Sequence, residues 1–474
     1  ALQTDSRRLE PGSIFLALKG DHFDGHDYLE QIQTAGACVA IVDAIRPVPG
    51  LAQIALGDTR AALLQLGRAW RRQFSIPMIA VTGSNGKTTS KELIYEVLSA
   101  HFKTYTTQGN LNNHIGVPLT LLSIPKDAEI AVIEMGANHQ KEIEFLCEIA
   151  KPDFGYITNF GKAHLEGFGG VEGVIKGKSE MYTYLSEHHK TVFVNLNDEI
   201  QVKKTTNMNS FTFGLNNQNA DVIIDTINAN PFVEVEVNDT KITSHLIGLY
   251  NSNNINAAIS IGIKFGVSID DIKSAIEGFV PQNNRSQMLN VNSNEIILDA
   301  YNANPSSMKV ALENFSELKD KQKIVFLGDM FELGKDSSKE HQQIADFALS
   351  LNFDKVYLIG KAFSAIDAKN ALVYSNFEDF ETSNKNLNPI LGAISPIGGT
   401  ELFDLISKRL KIYPETYPKV TTQKILERFY YDEILPKVYL VKTDSLLMGG
   451  TFSIVGISEY ENDKIQIESK PLFT

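Results

Sequence analysis

The pattern of apolar and polar positions predicts strands that alternate with helices along most of the chain. Short apolar runs bounded by polar or glycine-containing segments are typical of strands in parallel sheets. Longer segments with apolar residues three and four positions apart, such as Leu93, Ile94, Val97 and Leu98, predict amphipathic helices. Alternating strands and helices indicate an α/β fold built on parallel sheets.

Changes in this pattern divide the chain into three predicted domains, because 474 residues are too many for one hydrophobic core. Residues 1–74 are predicted to form a small α/β domain, with strands at Ser13–Leu18 and Ala37–Val42. Residues 75–283 form a central domain on a parallel sheet. Residues 284–474 form a third, Rossmann-like α/β domain, for which we expect a second parallel sheet.

The loop from Gly83 to Thr89 carries the clearest chemical signal. It follows the apolar strand Ile76–Val81 and precedes a helix, which is the context of a phosphate-binding loop. Glycines let backbone N–H groups turn towards an anion, and the helix adds its positive end. Lys87 can reach terminal phosphates, and the Thr88 hydroxyl can bind Mg²⁺. A plain glycine turn is the alternative, and Val81 stands where the full motif has its first glycine.

Two polar residues are predicted at the same edge of the central sheet as this loop. Glu134 ends the apolar strand Ile130–Glu134, and His164 lies on the loop after the strand Tyr156–Thr158. Ligands gather at the carboxyl ends of parallel strands. A single histidine is more often structural than a ligand, but its expected position beside a carboxylate and a phosphate loop favours a metal or nucleotide role for His164.

Other polar features are ambiguous from the pattern alone. Lys176 and Lys178 lie on one predicted helix, and their spacing is that of ordinary solvated lysines. Residues 248–256 contain four asparagines, more than one helix cap requires, so we expect some of them to bind a ligand. The polar clusters at residues 4–7 and 21–26 fit either turns and a helix cap or loops that hold a polar ligand.

Composition narrows the class of protein. Hydrophobic residues make up 43% and charged residues 21%, which is ordinary for a globular protein. The net charge of −13 argues against a general nucleic-acid binder. Two cysteines fit a reducing compartment, and no apolar run is long enough to span a membrane. We therefore expect a cytoplasmic protein with no nucleic-acid partner and no membrane span, and we expect a monomer.

Taken in order, these motifs resemble the Mur ligases of peptidoglycan synthesis, from residue 1 to about residue 380. The resemblance implies a small UDP-sugar domain, a central ATPase domain and a C-terminal ligase domain. It also implies two cofactors, ATP and Mg²⁺. The positions that match the family's ATP contacts are Gly83, Ser84, Asn85, Gly86, Lys87, Thr88, Thr89, Asn251, Asn254, Arg285 and Asp299.

The resemblance also implies metal ligands and catalytic residues. Glu134 and His164 match the family's magnesium ligands, with Thr88 on the phosphate loop as a further ligand. Lys178 matches the lysine that the family carbamylates, although the family usually has Ala-Lys-Gly-Glu where this chain has Gly-Lys-Ser-Glu. As a carbamate, Lys178 would be a fourth, anionic metal ligand. The expected catalytic residues are Lys87, Lys178 and His164.

Two motifs indicate the branch of the family. Asp299–Met308 and Leu327–Gly334 are similar to the branch that joins D-alanyl-D-alanine to UDP-N-acetylmuramoyl-tripeptide. The Asp-Asn-Pro-Arg of the diaminopimelate-adding branch is absent from the sequence. The resemblance implies that these substrates contact Ser6, Arg7, Asn112, Asn113, Tyr301, Asn302 and Asn304.

The last ninety residues depart from the family pattern. A Lys-Gly-Ser-Arg-Gly motif is expected soon after residue 380, but the chain continues through an unfamiliar stretch, Leu387–Ile434. The segment Val438–Leu446 keeps a predicted strand and Lys442 without the glycines. Residues 452–457 and 464–467 are predicted to form further strands.

The implied reaction is an amide ligation in which a carboxylate first takes the γ-phosphoryl group of ATP and an amine then displaces phosphate. Two alternatives stay open on the sequence. One is another amide ligase of this architecture, such as a folylpolyglutamate-type enzyme. The other is a catalytically silent nucleotide-binding scaffold. The chain retains the seven functional positions that the family shares, which argues against a scaffold; they are Lys87, Glu134, His164, Asn251, Asn254, Arg285 and Asp299. A GTPase switch is disfavoured because no Asn-Lys-x-Asp element is present.

Overall fold

The structure is a computed structural model that describes residues 2–20, 23–281, 285–291, 294–299, 302–318, 322–384, 438–442 and 454–455. It confirms an α/β architecture with parallel sheets. Within these residues, no helix is both long and apolar enough to cross a membrane. The predicted domain boundaries at residues 74/75 and 283/284 stay predictions.

The N-terminal part is a four-stranded parallel sheet with helices beside it. Its strands, in spatial order, are β1 (Leu2–Gln3), β2 (Ile14–Leu16), β3 (Val39–Val42) and β4 (Ala52–Ala55). Its helices are α1 (Leu29–Thr34) and α2 (Thr59–Arg71). Asp58 begins α2 by accepting hydrogen bonds from the N–H groups of Arg60 and Ala61. Helix α2 then packs against the central part of the chain.

The central sheet has seven parallel strands. They are β5 (Met78–Thr82), β6 (Thr104–Thr106), β7 (Ile130–Glu134), β8 (Phe154–Ile157), β9 (Thr191–Asn195), β10 (Asn209–Leu215) and β11 (Val222–Ile224), in the spatial order β11-β10-β9-β8-β5-β7-β6. Every residue of β5 and β7 is buried, as continuous apolar runs in a parallel sheet predict. The phosphate loop follows β5, so it begins near the middle of the sheet.

Helices cover both faces of this sheet. They are α3 (Lys87–Ser99), α4 (Gly116–Leu122), α5 (Glu142–Ala150), α6 (Leu165–Phe168), α7 (Val171–Glu187), α8 (Glu199–Thr205), α9 (Ser252–Lys264) and α10 (Ile269–Gly278). A small antiparallel sheet of β12 (Thr226–Ala229), β13 (Phe232–Val237) and β14 (Thr240–Ile247) contributes to the core on the α3 and α9 face. The sequence pattern did not predict this sheet.

The third part is a seven-stranded mixed sheet with helices. Its strands are β15 (Gln287–Val291), β16 (Asn294–Asp299), β17 (Lys323–Gly328), β18 (Lys355–Ile359), β19 (Leu372–Tyr374), β20 (Val438–Lys442) and β21 (Ile454–Val455). Its helices are α11 (Pro305–Glu317), α12 (Ser337–Ser350), α13 (Lys361–Ser364) and α14 (Phe377–Ser383).

The predicted second parallel sheet is present in β16, β20, β17, β18 and β19, and it carries two antiparallel strands that the pattern did not predict. Strand β15 runs antiparallel to β16 because only two residues connect them, too few for the crossover that parallel strands require. Strand β21 is also antiparallel, to both β17 and β20. The predicted strand at residues 438–442 is confirmed: β20 pairs in parallel with β16 on one side and β17 on the other. Residues 464–467 lie outside the described part.

Candidate functional site

The phosphate loop has the backbone geometry that anion binding requires. Gly83 and Gly86 have φ values of +142° and +78°, which other residues rarely adopt. A Cβ on Gly83 would overlap Thr158 Oγ1, so a side chain is also excluded by space. Lys87 Nζ donates to the carbonyls of Gly83 at 2.9 Å and Ser84 at 3.2 Å. Burial lowers the pKa of Lys87, an effect that Glu134 opposes and Arg285 increases.

A second loop, after β8, holds the phosphate loop in place. The Asn85 carbonyl accepts from Thr158 Oγ1 at 2.6 Å and from Asn159 Nδ2 at 2.9 Å. The Asn85 N–H donates to Asn159 Oδ1 at 3.1 Å. Hydrogen bonds therefore hold both the backbone N–H and the carbonyl of Asn85. Gly83 and Gly86, on either side of it, set the curvature of the loop.

One cavity of about 890 Å³ collects most of the predicted site residues. It lies between the central sheet and the third part of the chain. The predicted residues that line it are Ser84, Asn85, Gly86, Lys87, Thr88, Thr89, Asn112, Asn113, Glu134, His164, Asn251, Asn254, Arg285, Asp299 and Asn302. Ser6, Arg7, Gly83, Lys178 and Asn304 do not line it, and Tyr301 lies outside the described residues.

Glu134 has the properties of a cation ligand. It ends β7, and only 1% of its surface is exposed. Its Oε1 accepts from Asn112 Nδ2 at 2.8 Å, whereas its buried Oε2 has no hydrogen-bond partner within the described part of the chain. A buried carboxylate oxygen without a partner is costly unless it is neutralised. Thr88, whose hydroxyl is a second candidate oxygen ligand, lines the same cavity.

His164 lies at the same edge, as the strand order predicted. It precedes α6 with φ of +53°, and its Nδ1 hydrogen-bonds the carboxylate of Glu332 from the third part of the chain. This hydrogen bond holds the pKa of the Glu332 carboxyl below its ordinary value. Among the described residues, no cluster of three or more His, Cys, Asp or Glu side chains forms a complete metal site.

Lys178 is not solvated, so the interpretation from spacing alone was wrong. It lies on the inner face of α7, only 1% exposed, while Lys176 on the same helix is exposed. Its Nζ donates to the Ala137 carbonyl at 3.1 Å and lies 5.1 Å from the centre of the Phe168 ring. Burial holds the pKa of Lys178 well below its usual range, and the charge of Lys87 lowers it further. Ala137 lines the cavity, so Lys178 lies just behind its wall.

Asn251 and Asn254 connect α9 to the phosphate loop. Asn254 Nδ2 donates to Asn251 Oδ1 at 2.8 Å, and Asn254 Oδ1 accepts from Ser90 Oγ at 2.9 Å. Asn251 Nδ2 donates to the Ile247 carbonyl at 2.8 Å. Two of the four asparagines thus make hydrogen bonds within the protein while lining the cavity. A Cβ on Gly86 would lie 2.6 Å from Asn254 Oδ1, so α9 packs directly on the loop.

The third part of the chain reaches the phosphate loop through α11. Asn304 begins this helix by accepting from the Ser307 N–H at 3.0 Å. Its Nδ2 donates to Asn85 Oδ1 at 2.7 Å. Asn304 therefore contacts the loop rather than the open cavity. Asn113 likewise has a capping role, since its Oδ1 accepts from the N–H groups of Ile115 and Gly116 before α4.

The N-terminal candidates do not line this cavity. Asp5 caps a short 3₁₀ helix, Ser6–Arg8, and pairs with Arg7 at 2.8 Å on the surface. Ser6 Oγ donates to Gln31 Oε1 at 3.3 Å. Asp24 caps a second 3₁₀ helix, so both polar clusters contain the caps that the simpler interpretation expects.

Sequence reasoning missed several residues that line the cavity. Asn159 could have been found, because it follows β8 at the carboxyl edge where ligands gather. Glu332 lies in the motif Leu327–Gly334, but nothing near it in the sequence indicated its contact with His164, which is 168 positions away. The other missed polar residues are Asn110, His114, Asn138, Glu142, Tyr250, Asn253, Ser286, Ser306 and Ser307.

The chain is similar to one family over most of its length. Residues 1–62 match the model described as "Mur ligase family, catalytic domain", residues 81–262 the Mur ligase middle domain, and residues 284–386 the "Mur ligase, glutamate ligase domain". A Bacillus subtilis protein named UDP-N-acetylmuramoyl-tripeptide--D-alanyl-D-alanine ligase is 35% identical, covering 78% of this chain and 81% of its own.

Solved structures give the same result. The crystal structure I of MurF from Acinetobacter baumannii is 32% identical, with a TM-score of 0.72, covering 82% of this chain and 87% of its own. The structure of MurF ligase from Thermotoga maritima in complex with ADP is 28% identical, with a TM-score of 0.70, covering 81% of this chain and 90% of its own.

Proposed function

The chain belongs to the Mur ligase family, and from that membership we propose that it is the ATP-dependent ligase that joins D-alanyl-D-alanine to UDP-N-acetylmuramoyl-tripeptide in peptidoglycan precursor synthesis. Relatives that bear this activity as their name cover about four fifths of the chain. The Thermotoga relative was solved with ADP, which supports ATP as the nucleotide.

One observation carries the proposal: a single cavity is lined by the phosphate loop, a carboxylate with a free oxygen, and charged residues from the third part of the chain. This arrangement can bring a triphosphate, a cation and a carboxylate substrate together. It does not by itself select the substrates, and the subfamily motifs Asp299–Met308 and Leu327–Gly334 support that choice.

The residues present fit a divalent cation such as Mg²⁺. Glu134 Oε2 has no hydrogen-bond partner within the described residues, and the Thr88 hydroxyl lines the same cavity. Mg²⁺ prefers few protein oxygen ligands and keeps several waters. We assign Thr88, Glu134 and His164 as residues that would hold it. When bound, the cation neutralises phosphate oxygens that would otherwise repel the attacking carboxylate.

The first chemical step requires charge neutralisation and alignment. A carboxylate oxygen of the tripeptide attacks the γ-phosphorus of ATP, and the bond from that phosphorus to the β,γ-bridging oxygen breaks. The products of this step are an acyl phosphate and ADP. Lys87 supplies positive charge at the loop, and Arg285 adds a second positive charge to the same cavity. The backbone N–H groups around Gly86 hold the phosphates.

Other residues hold the nucleotide in position. We assign Asn251, Asn254 and Asp299 to contacts with ATP away from the γ-phosphate. Asn251 and Asn254 are buried and fixed by hydrogen bonds, so their geometry is set before a ligand arrives. Asp299 ends β16, where a parallel sheet presents its ligand-binding edge.

Lys178 has the surroundings of a lysine that reacts with CO₂. A buried amine with a lowered pKa is readily neutral, and only the neutral amine is nucleophilic. Its nitrogen attacks the carbon of CO₂ and loses a proton, which leaves a carbamate. That anion would offer oxygen ligands just behind the cavity wall at Ala137.

The second step forms the amide. The amine of D-alanyl-D-alanine attacks the acyl carbon, a tetrahedral intermediate forms, and phosphate leaves. Water would hydrolyse the acyl phosphate, so the cavity must exclude it during this step. Contacts across the cavity, such as Asn85 with Asn304, support closure of the third part over the loop.

Three assignments rest on the family resemblance and stay proposals. Asn112, Asn113, Tyr301, Asn302, Ser6 and Arg7 are assigned to the substrates, with Ser6 and Arg7 on the UDP-sugar domain. A monomer is proposed. A cytoplasmic location is proposed, and the free Cys38 and Cys147 fit a reducing compartment.

The proposal is tested by phosphate release with ATP, Mg²⁺ and D-alanyl-D-alanine, with and without UDP-N-acetylmuramoyl-tripeptide. We expect release only when both substrates are present. Lys87→Ala should abolish release while the thermal unfolding midpoint stays near that of the parent, and the surface variant Lys103→Ala should keep full activity. ATP binding without substrate-dependent release would instead support a silent scaffold.

A further inference from the structure

Glu332 holds the segment around His164 at two points. Its carboxylate hydrogen-bonds His164 Nδ1, and its carbonyl accepts from the Glu166 N–H at 3.2 Å. Glu332 lies in the third part of the chain, between β17 and α12, whereas His164 and Glu166 belong to the central part. These two contacts therefore bridge the cavity, which both Glu332 and His164 line.

Both partners adopt an unusual backbone conformation. The φ values of His164 and Glu332 are +53° and +58°, in the left-handed region that favours glycine. A residue other than glycine held there is strained, and such residues cluster at functional sites. The two strained residues contact each other. This indicates that the contact between them is maintained despite the unfavourable backbone conformation of both.

The contact with Glu332 determines which ring nitrogen of His164 is available to bind a cation. A glutamate carboxyl is ordinarily ionised at neutral pH, and the Glu332 carboxylate lies within hydrogen-bond distance of His164 Nδ1. An ionised carboxylate can only accept hydrogen bonds, so Nδ1 must be the protonated nitrogen. In a neutral ring, Nε2 then keeps its lone pair. No described residue hydrogen-bonds Nε2. Histidines that bind metals commonly donate their other nitrogen to a carboxylate in this way.

We propose that Glu332 is a positioning residue that holds His164 in the tautomer offering Nε2 to a divalent cation, so that His164 becomes a competent ligand only when the third part of the chain closes on the central part. This inference rests on the proposed function for its cation. It adds a residue to the site that acts through His164 and does not itself bind the metal. It also makes closure and cation binding mutually dependent.

A plain interdomain ion pair is the competing explanation, and the chain contains a matched example of one. Lys162 Nζ pairs with Glu340 at 2.8 Å across the same boundary, without a histidine. If Glu332 only joins the two parts, removing either glutamate should have similar effects. If Glu332 sets the tautomer, only its removal should change His164.

The test reads the ring nitrogens and cation binding without turnover. Protein labelled with ¹⁵N-histidine gives correlations for each ring, and His164→Gln identifies those of His164. The variants are Glu332→Ala, Glu332→Gln and the control Glu340→Gln. Glu332→Gln keeps the side-chain length and the backbone contact, but its amide both donates and accepts, so it no longer forces one tautomer. Mn²⁺ binding in the presence of ADP is measured on the same proteins by electron paramagnetic resonance.

We expect the parent to show Nδ1 protonated and Nε2 bare, and both Glu332 variants to show a mixture of tautomers. Their Mn²⁺ affinity should fall by about tenfold or more, as for other carboxylates that orient a metal-binding histidine. Glu340→Gln should change neither. The inference is overturned if the Glu332 variants keep the parental tautomer, if Mn²⁺ affinity is unchanged, or if Glu340→Gln has the same effect. Absence of ligase activity in the parent would refute the proposed function while leaving the tautomer result readable.

Discussion

Gly86 shows how one residue determines whether a phosphate loop can form. Its φ is +78°, and a Cβ added there would lie 2.6 Å from Asn254 Oδ1, so two separate reasons exclude a side chain. Gly57 has nearly the same φ, +76°, with nothing within 4 Å of its Cβ position. Substitutions at Gly57 and Gly86 therefore distinguish the effect of backbone strain from the effect of steric exclusion.

We predict that Gly57→Ala costs about 1–2 kcal/mol of unfolding free energy, the penalty for a left-handed alanine. Gly86→Ala should cost about 1–3 kcal/mol more, because the methyl group displaces Asn254, and it should abolish ATP binding. Thermal unfolding and nucleotide titration check both. Equal effects of the two substitutions on ATP binding would contradict the assigned role of the loop.

The lowered pKa of Lys178 predicts that the stability of the chain depends on pH. Its pKa is lowered in the folded state, so between that value and its ordinary pKa the unfolded chain binds the extra proton. Stability of the parent should therefore rise with pH across this window. Lys178→Met should flatten that rise, measured as the thermal unfolding midpoint from pH 6.5 to 9.5 in bicarbonate-free buffer, a range on the order of three pH units.

The exposed Lys176 on the same helix provides the control, and Lys176→Met should keep the parental slope. An unchanged slope in Lys178→Met would mean that the buried amine does not titrate as described.

At the scale of elements, helix α11 couples the third part of the chain to the phosphate loop. Asn304 caps α11 with Oδ1 and reaches Asn85 with Nδ2. Serine is an equally good cap but is too short to reach Asn85. Asn304→Ser therefore removes the coupling and keeps the helix.

We predict that Asn304→Ser leaves the unfolding midpoint near that of the parent and raises the KM for ATP about two- to tenfold, the range for one lost hydrogen bond. Asn376 caps α14 in the same way, and its capping Oδ1 accepts from the Asp379 N–H. Asn376→Ser is the matched control and should leave the KM for ATP unchanged. A KM shift of the same size in both variants would show that capping, not the contact with Asn85, matters.

The elements also show what the pattern could and could not predict. The apolar runs of β5 and β7 identified two central strands, and the carboxyl-edge rule placed Glu134 and His164 in one cavity. The burial of Lys178 could not be read from spacing, because the helix face that it occupies is set by packing against Phe168.

Contacts between segments that are far apart in the sequence could not be predicted from the pattern for a different reason. Asn159 meets Asn85 from 74 positions away, and Glu332 meets His164 from 168. No local periodicity encodes such pairs. The order of strands in the third sheet is a further case, since nothing near β20 indicates that it lies between β16 and β17.

At the scale of the whole molecule, the unfamiliar C-terminal segment supplies part of the third sheet. Strand β20 pairs on one side with β16, which ends in Asp299, and on the other with β17. Without β20, β16 loses its parallel partner and β17 keeps a parallel partner on one side alone, β18. The segment is therefore required for the edge of the sheet that faces the cavity.

We predict that a chain ending at Asn384 loses hydrogen-exchange protection in β16 and β17 and loses ligase activity, while the central sheet stays protected. A chain ending at Val455 keeps β20 and β21 and should retain protection in both strands. Hydrogen exchange read by mass spectrometry distinguishes the two. Full protection of β16 in the shorter chain would contradict the pairing.

The most direct test of the account follows one oxygen atom. If the tripeptide carboxylate attacks the γ-phosphorus, one of its oxygens leaves with the phosphate when the amide forms. UDP-N-acetylmuramoyl-tripeptide labelled with ¹⁸O in that carboxylate is incubated with the protein, ATP, Mg²⁺ and D-alanyl-D-alanine, and the released phosphate is examined by mass spectrometry. The account predicts one ¹⁸O atom in each phosphate. Phosphate released without the label would contradict the acyl phosphate and, with it, the ligase.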